Sequence, residues 1–195
     1  MTPQEINIKE LCRYLGYGKN EPDERTKAAI RSVIDEYIPC VRERHVTLEV
    51  PITVGADGVA LPGGYLPSKS LARTLDGCEC AVIMAATLGA ECDRLMMRYE
   101  SSDMAKAAIA QACGACAIEV LCDRICADIE QVAALRGLYS RRRFSPGYGD
   151  LPLETQNFFI AALDAQKKIG LTLTSSLMMV PTKSVTAIVG LSAQE

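Results

Sequence analysis

The stretch "CAVIMAATLG", residues 80–89, is an apolar run of strand length that ends in glycine. A short apolar run without polar alternation is typical of a strand covered on both faces. We therefore predict a buried central strand here. The amphipathic segment 90–100 that follows predicts a helix, and residues 101–135 predict the longest helix of the chain, with Asp103 as its N-cap.

Upstream of the central strand, the sequence alternates. Residues 45–54 are β-rich and alternating, which predicts a strand, and a glycine-containing turn region follows at 55–58. Residues 58–66 predict a second strand that runs into a loop. A short helix is expected over 69–75, with Ser68 as its cap.

The ends of the chain supply the remaining elements. Apolar spacing predicts helices over 4–16, 21–41 and 153–170, and two strands over 171–181 and 183–191 around a Pro-Thr-Lys turn. Strands and helices do not alternate in a βαβ rhythm. We therefore predict an α+β fold with a mainly antiparallel sheet and flanking helices, organised as one domain over residues 1–195.

Composition limits the classes of function. Hydrophobic residues make up 49% of the 195 positions, enough for a globular core. The net charge of -3 argues against a nucleic-acid binder that depends on phosphate contacts. The first residues do not resemble a secretory signal, and no uninterrupted apolar run of about 18 residues predicts a membrane helix. With nine cysteines, an odd number, we expect reduced thiols in a cytoplasmic protein.

Four cysteines on the long predicted helix have spacings that resemble metal ligands. At about 100° per residue, Cys113 and Cys116 share one side of a helix, and Cys122 and Cys126 share roughly the opposite side. Such an arrangement cannot close one tetrahedral zinc site, so small buried apolar side chains are the favoured interpretation and a metal or redox protein the alternative. The single histidine, His45, is expected at the surface or at a strand edge.

Residues 141–152, "RRRFSPGYGDLP", differ from their helical surroundings. Gly147 and Gly149 permit close backbone approach, Tyr148 offers a ring and a hydroxyl, and Arg143 could form a two-pronged bond to a carboxylate or phosphate. From the residues alone, the segment is either a Pro-Gly connector with solvated arginines or a loop that holds a ligand.

One acid, Glu119, lies on a sector of small residues along the long predicted helix. Small side chains let a ligand or another backbone approach, so this carboxylate is either directed to solvent or held for a cation. The other members of the sector are Ala108, Ala112, Ala115, Cys122 and Cys126.

The segment "RFSPGYGDLP", followed by a helix and then by "IGLTLTSSLMMVPTKSVTAIVG", resembles the activation domain of vitamin B12-dependent methionine synthase. The resemblance extends upstream to "CAIEVLCDRI" and "MAATLGAECDRL" and covers residues 61–191, which leaves 1–60 as an N-terminal helical and strand region. It implies a stand-alone form of that domain, with a bent, mainly antiparallel sheet and flanking helices.

The resemblance also implies a function. The family binds S-adenosylmethionine and presents it to cobalamin held by another module. One electron from a flavodoxin or ferredoxin, together with the methyl group, then restores methylcobalamin from cob(II)alamin. The chain is accordingly expected to be a cytoplasmic accessory subunit of a cobalamin-dependent methionine synthase, without a complete active site of its own.

Site residues carry over from the family by position. Arg143 matches the loop arginine and is expected to pair with the ligand carboxylate. Ser145 and Gly147 match positions whose backbone contacts the ligand, and Tyr148 matches the loop tyrosine. Glu119 matches the acid of the long helix that holds a cationic or hydroxyl group of the ligand; an alignment shifted by one turn would place Asp123 there instead.

Two family features have no match here: an aspartate-aromatic segment near the start and a tyrosine pair after the last strand. We therefore expect a more open site, with weaker binding or binding completed by the partner. His45 lacks the Asp-x-His-x-x-Gly setting of base-off cobalamin binding, so the corrinoid is expected on the partner. The alternatives are a non-enzymatic sensing or docking protein of the same fold and an activator of another corrinoid methyltransferase.

Overall fold

The computed structural model describes residues 1–18 and 20–194. Within these residues, seven α-helices form: α1 (Ile8–Tyr14), α2 (Glu24–Tyr37), α3 (Lys69–Thr74), α4 (Ala90–Ser102), α5 (Met104–Ala134), α6 (Gln156–Leu163) and α7 (Ala165–Ile169). Nine strands accompany them: β1 (Arg44–Pro51), β2 (Thr53–Val54), β3 (Val59–Leu61), β4 (Gly64–Leu66), β5 (Cys78–Thr87), β6 (Tyr139–Ser140), β7 (Thr172–Leu173), β8 (Met179–Val180) and β9 (Ser184–Ser192).

The main sheet has four strands in the order β1-β5-β9-β6, and every pairing is antiparallel. Strand β5 lies inside this sheet, where Ile83 pairs with Leu48 of β1 and with Ile188 of β9. The predicted central strand and the α+β antiparallel architecture are therefore confirmed. Two smaller antiparallel sheets, β2-β3-β4 and β7-β8, complete the strands of the described residues.

Strand β5 is buried on both faces because helices cover the sheet from two sides. Met84 and Ala86 belong to a core cluster shared with α1, α2, α4 and α5. Ile83 and Ala85 point the other way, into a second core cluster with α3, α6, α7 and the three-stranded sheet. Successive side chains of a strand face opposite sides, so only a continuous apolar run satisfies both layers.

Helix α5 is the central helix of one layer and begins as predicted. The side chain of Asp103 accepts hydrogen bonds from the backbone N–H groups of Ala105 and Lys106, at 3.0 and 3.1 Å. Among the described residues, α5 alone is long and apolar enough to cross a membrane by length and composition. However, 61% of its apolar 18-residue stretch is buried within the fold, as in the core helix of a folded domain.

Two predicted helices are wrong in their extent. The helix predicted over 4–16 is a 3-10 turn followed by α1, because the Asn7 side chain caps a new start and accepts from Lys9 and Glu10 N–H groups. The helix predicted over 153–170 is broken at Asp164, which adopts a left-handed conformation with φ of 50° and separates α6 from α7.

Two predicted strands are also wrong in their extent. The strand predicted over 45–54 ends at Pro51, which has no N–H to donate, and Thr53 and Val54 join a different sheet. The strand predicted over 171–181 is a small hairpin of β7 and β8. Its turn is closed by the Thr174 hydroxyl, which accepts from the Met178 N–H at 3.1 Å.

Asp150 anchors the loop after β6 to the start of α3, which lies about 80 residues earlier in the chain. Its carboxylate accepts from the Ser68 hydroxyl and from the Lys69 and Ser70 N–H groups, the last two at 2.9 and 3.1 Å. The Ser68 hydroxyl, together with these N–H groups, holds the pKa of Asp150 well below its usual range. The carboxylate thus fixes the far end of the loop to the domain.

A close approach of three elements occurs at Gly114, on the buried side of α5. Here Tyr37 of α2 and Lys183, just before β9, lie against the glycine. A Cβ at this position would lie 2.7 Å from Cε of Lys183 and closer still to the Tyr37 hydroxyl. That hydroxyl is buried and has no hydrogen-bond partner within the described residues.

We expect Asp150→Asn to destabilise the protein at neutral pH and less in acid. Because the folded-state pKa lies below an unfolded value of about 3.9, the contribution of Asp150 is fully present above about pH 4 and is lost as the pH falls through the folded-state value. Denaturant unfolding of wild type and variant at about pH 7 and about pH 3 measures this. Asp128→Asn, at an exposed position of α5, is the control. An equal difference at both pH values contradicts the prediction.

Substitution Gly114→Ala is expected to lower the free energy of unfolding by about 1–3 kcal/mol, since the new methyl group overpacks the α2–α5 contact. Helix propensity alone would raise the free energy of unfolding, because it favours alanine over glycine by about 1 kcal/mol. Chemical denaturation checks it. Adding Tyr37→Phe, which removes the nearest atom, should restore part of the loss; a stabilised Gly114→Ala protein would contradict the clash.

Candidate ligand-binding site

The candidate site begins where the chain leaves β6 and continues along β9. Ser140 pairs with Leu191, and Phe144 forms two 2.9 Å backbone hydrogen bonds with Ile188. Four residue steps separate Ser140 from Phe144, whereas three steps separate their partners Leu191 and Ile188 on β9. The extra residue on one strand is the geometry of a β-bulge. Bulges re-aim side chains, and here Arg143 reaches across to α5.

On α5, the guanidinium of Arg143 meets two carboxylates one helical turn apart. Its NH2 group donates to Glu119 in a short contact, and its NH1 group donates to Asp123 at 3.2 Å. The side chain of Arg143 is 23% exposed, that of Glu119 45% and that of Asp123 77%. Both positions that the family alignment allowed for the helix acid therefore contact the arginine.

The surroundings of Arg143 keep it charged. Burial alone would lower the pKa of Arg143, but its neighbours, including Cys122 and the two carboxylates, raise it above its ordinary value. Burial in turn raises the pKa of the Cys122 thiol to about 12 and also raises that of Cys126. These thiols are neutral at physiological pH, so they do not form reactive thiolates.

The segment Ser145–Leu151 folds into successive turns. The Tyr148 N–H donates to the Ser145 carbonyl at 3.1 Å, and the Gly147 N–H donates to the Leu151 carbonyl at 2.9 Å. Gly147 has φ of 83°, a conformation that a side chain would strain. The loop is therefore built on its own hydrogen bonds, which use the N–H groups of Gly147 and Tyr148.

Tyr148 projects from this loop. Its ring packs edge-on against Phe144, with centroids 5.3 Å apart, while Phe144 itself is buried against the sheet. Even so, Tyr148 remains 70% exposed. An exposed aromatic ring on a fixed loop offers a rigid apolar surface with little conformational entropy to lose on contact.

Arg143 faces an open depression of about 430 Å³ between α5 and the β6–β9 edge. It is lined by Asp123, Cys126, Ala127, Glu130, Ser140, Arg141, Arg142, Arg143 and Val189. The structure thus brings Arg143, Glu119 and Asp123 together. The other predicted site residues, Glu119, Ser145, Gly147 and Tyr148, do not line this depression. A larger groove, about 570 Å³, lies between α1 and α2, away from every predicted site residue.

The cysteines and the histidine lie as the sequence predicts. All nine cysteines are free, and the two pairs on α5 face different neighbours: the Cys116 thiol contacts the Asn7 carbonyl, whereas Cys122 and Cys126 lie beside Arg143. His45 is exposed on the edge strand β1. Across residues 1–18 and 20–194, no three His, Cys, Asp or Glu side chains are placed together to hold a metal ion.

Sequence reasoning missed two features that position the site. The bulge after β6 left no pattern in the sequence, because it depends on the register of β9. The anchoring role of Asp150 also went unrecognised, although the predicted cap at Ser68 pointed to the helix start that it binds. Only the approach of two distant segments reveals that partnership.

Comparison with known proteins agrees with the fold. The crystal structure of the MetH reactivation domain bound to AdoHcy superposes with a TM-score of 0.73; the alignment covers 100% of this chain and 78% of that chain at 15% sequence identity. At this identity the likeness establishes the fold. No curated protein sequence matches the chain.

The family is established by the sequence of the second half of the chain. Residues 78–194, from the start of β5 to just past β9, match the family model described as "Vitamin B12 dependent methionine synthase, activation domain". This match includes α5, the β6 bulge, the Arg143 loop and β9. The chain belongs to the family of vitamin B12-dependent methionine synthase activation domains.

Proposed function

We propose that this chain binds S-adenosylmethionine and supports reductive methylation of cob(II)alamin on a cobalamin-dependent methionine synthase. The observation that carries the proposal is Arg143, which a β-bulge directs from the sheet edge toward the acids of α5, beside an open depression. A guanidinium next to carboxylates matches the amino-acid end of the ligand, which carries both a carboxylate and an ammonium group.

Each site residue has a proposed role. Arg143 pairs with the ligand carboxylate, and Glu119 receives a cationic or hydroxyl group of the ligand. The backbone of Ser145 and Gly147 supports the ligand from the loop. Because the Gly147 N–H is bonded to Leu151 and the Ser145 carbonyl already accepts from Tyr148, the ligand would meet the Gly147 carbonyl and the second lone pair of the Ser145 carbonyl. None of these residues acts as a nucleophile or base, so the chain contributes position and orientation.

Tyr148 is proposed to face the partner. Its exposed ring lies in the middle of a loop that is held by Asp150 at one end and by the Phe144–Ile188 pair at the other. When bound by its own module, cobalamin supplies the cobalt that accepts the methyl group, after one electron from a flavodoxin or ferredoxin; S-adenosylhomocysteine leaves. Tyr148 would limit access of water and orient the ligand toward that module.

The partners follow from what the chain contains. We propose that cobalamin stays on a cobalamin-binding module of methionine synthase. The only histidine, His45, lies on β1, at the opposite edge of the main sheet from β6. Residues 1–195 are proposed to act as one domain in the cytoplasm. Support for a single unit comes from α1 and α2, which share a core with α5, and from β1, which pairs with β5.

Ligand binding tests this function first. Isothermal titration with S-adenosylmethionine should give saturable heat for the wild type and roughly tenfold or weaker affinity for Arg143→Ala, because a charge-assisted hydrogen bond is lost. Arg25→Ala, which removes the same charged group from an exposed position of α2, is the matched control and should bind like wild type. Absence of heat in the wild type, even with a cobalamin-binding partner present, would count against the proposal.

Reactivation tests the second part. With a reductant and a partner module holding cob(II)alamin, the visible spectrum should change to that of methylcobalamin faster when this chain is added. Tyr148→Ala should slow the recovery while changing stability little, since the side chain is 70% exposed and surface substitutions usually stay within about 0.5 kcal/mol. If binding occurs without faster recovery, the chain is a sensing or docking protein of this fold.

A further inference from the structure

The arrangement around Arg143 contains more negative charge than one arginine balances. Glu119 and Asp123 together carry two negative charges against the single positive charge of the guanidinium. Any carboxylate that approaches Arg143 therefore meets two carboxylates already bound to it. Like charges at this separation repel, so a third carboxylate that takes the NH1 donor competes with the resident carboxylate bound there.

The two resident carboxylates differ in how firmly they are held. Glu119 is 45% exposed, whereas Asp123 is 77% exposed and lies 3.2 Å from the NH1 group of Arg143. An exposed ion pair contributes little, because water solvates the freed carboxylate almost as well as the arginine does. Asp123 also lines the depression beside Arg143, and Glu119 does not.

We infer that Asp123 is a positioning residue that holds the NH1 group of Arg143 until a ligand carboxylate replaces it, while Glu119 keeps the NH2 group in place. This inference rests on the proposed function, since it takes S-adenosylmethionine as the ligand. Asp123 orients the guanidinium toward the depression, and in doing so competes with the ligand for the same donor group.

The exchange of Asp123 for the ligand carboxylate predicts that loss of the acid strengthens ligand binding, which is opposite to the effect of net charge. S-adenosylmethionine carries a net positive charge, so the removal of a nearby acid should weaken its binding by general electrostatics. If Asp123 competes with the ligand for Arg143, removal of its charge should strengthen the binding of S-adenosylmethionine instead. The strengthening should depend on the ligand carboxylate, because only that group takes the place of Asp123. A decarboxylated ligand retains the sulfonium and amine but lacks the group that exchanges.

The test is titration of wild type and Asp123→Asn with S-adenosylmethionine and with decarboxylated S-adenosylmethionine, at low ionic strength. We expect the variant to bind S-adenosylmethionine about two- to fivefold more tightly, the range that corresponds to an exposed ion pair. Affinity for the decarboxylated ligand should stay equal or fall. Asp128→Asn removes the same charge from an exposed position of α5 without contact to Arg143 and controls for net charge.

The inference is overturned, while the proposed function stands, if wild type binds S-adenosylmethionine and Asp123→Asn binds it no more tightly. It is also overturned if Asp123→Asn gains the same affinity for both ligands. If the wild type binds no S-adenosylmethionine at all, the proposed function fails and this inference with it. A gain in Asp128→Asn equal to that in Asp123→Asn also overturns it, because the effect would then come from net charge. Thermal unfolding of each variant verifies that the compared proteins are folded.

Discussion

The fold depends on the burial of β5 on both faces. Its ten residues cannot be covered by a single layer, so helices must pack on either side of the sheet. One layer is dominated by α5, and the other by α3, α6, α7 and the small three-stranded sheet. The edge strand β6 and its continuation then lie next to α5. The candidate site is formed at this junction, where the edge of a sheet meets a helix of the covering layer.

Electrostatics at this junction are dominated by a few side chains at the protein surface. Arg143 can be charged and partly buried because Glu119 and Asp123 compensate it. The thiols of Cys122 and Cys126 fill the space beneath without adding charge, since burial raises their pKa. A site with this composition suits the zwitterionic or cationic ligand that we propose for it.

The loop that follows Arg143 is fixed at both ends and exposed in the middle. Phe144 pairs with Ile188 at one end, and Asp150 binds the start of α3 at the other. Between them, hydrogen bonds within the turns use the N–H groups of Gly147 and Tyr148 and fix the shape of the loop. Such a loop presents Tyr148 at the surface with little entropy left to lose, which favours contact with a partner.

Much of this protein follows from its sequence alone. The apolar run 80–89 predicts the central strand, Asp103 predicts the start of α5, and the motif around Arg143 identifies the family, because these are local patterns of side chains. Tertiary structure decided the break at Asp164, the bulge before Phe144, the anchor at Asp150 and the contact of Arg143 with both acids of α5. Asp164 breaks the helix through its left-handed backbone. The bulge, the anchor and the contact of Arg143 depend on how segments distant in sequence meet, and local periodicity carries no information about such distances.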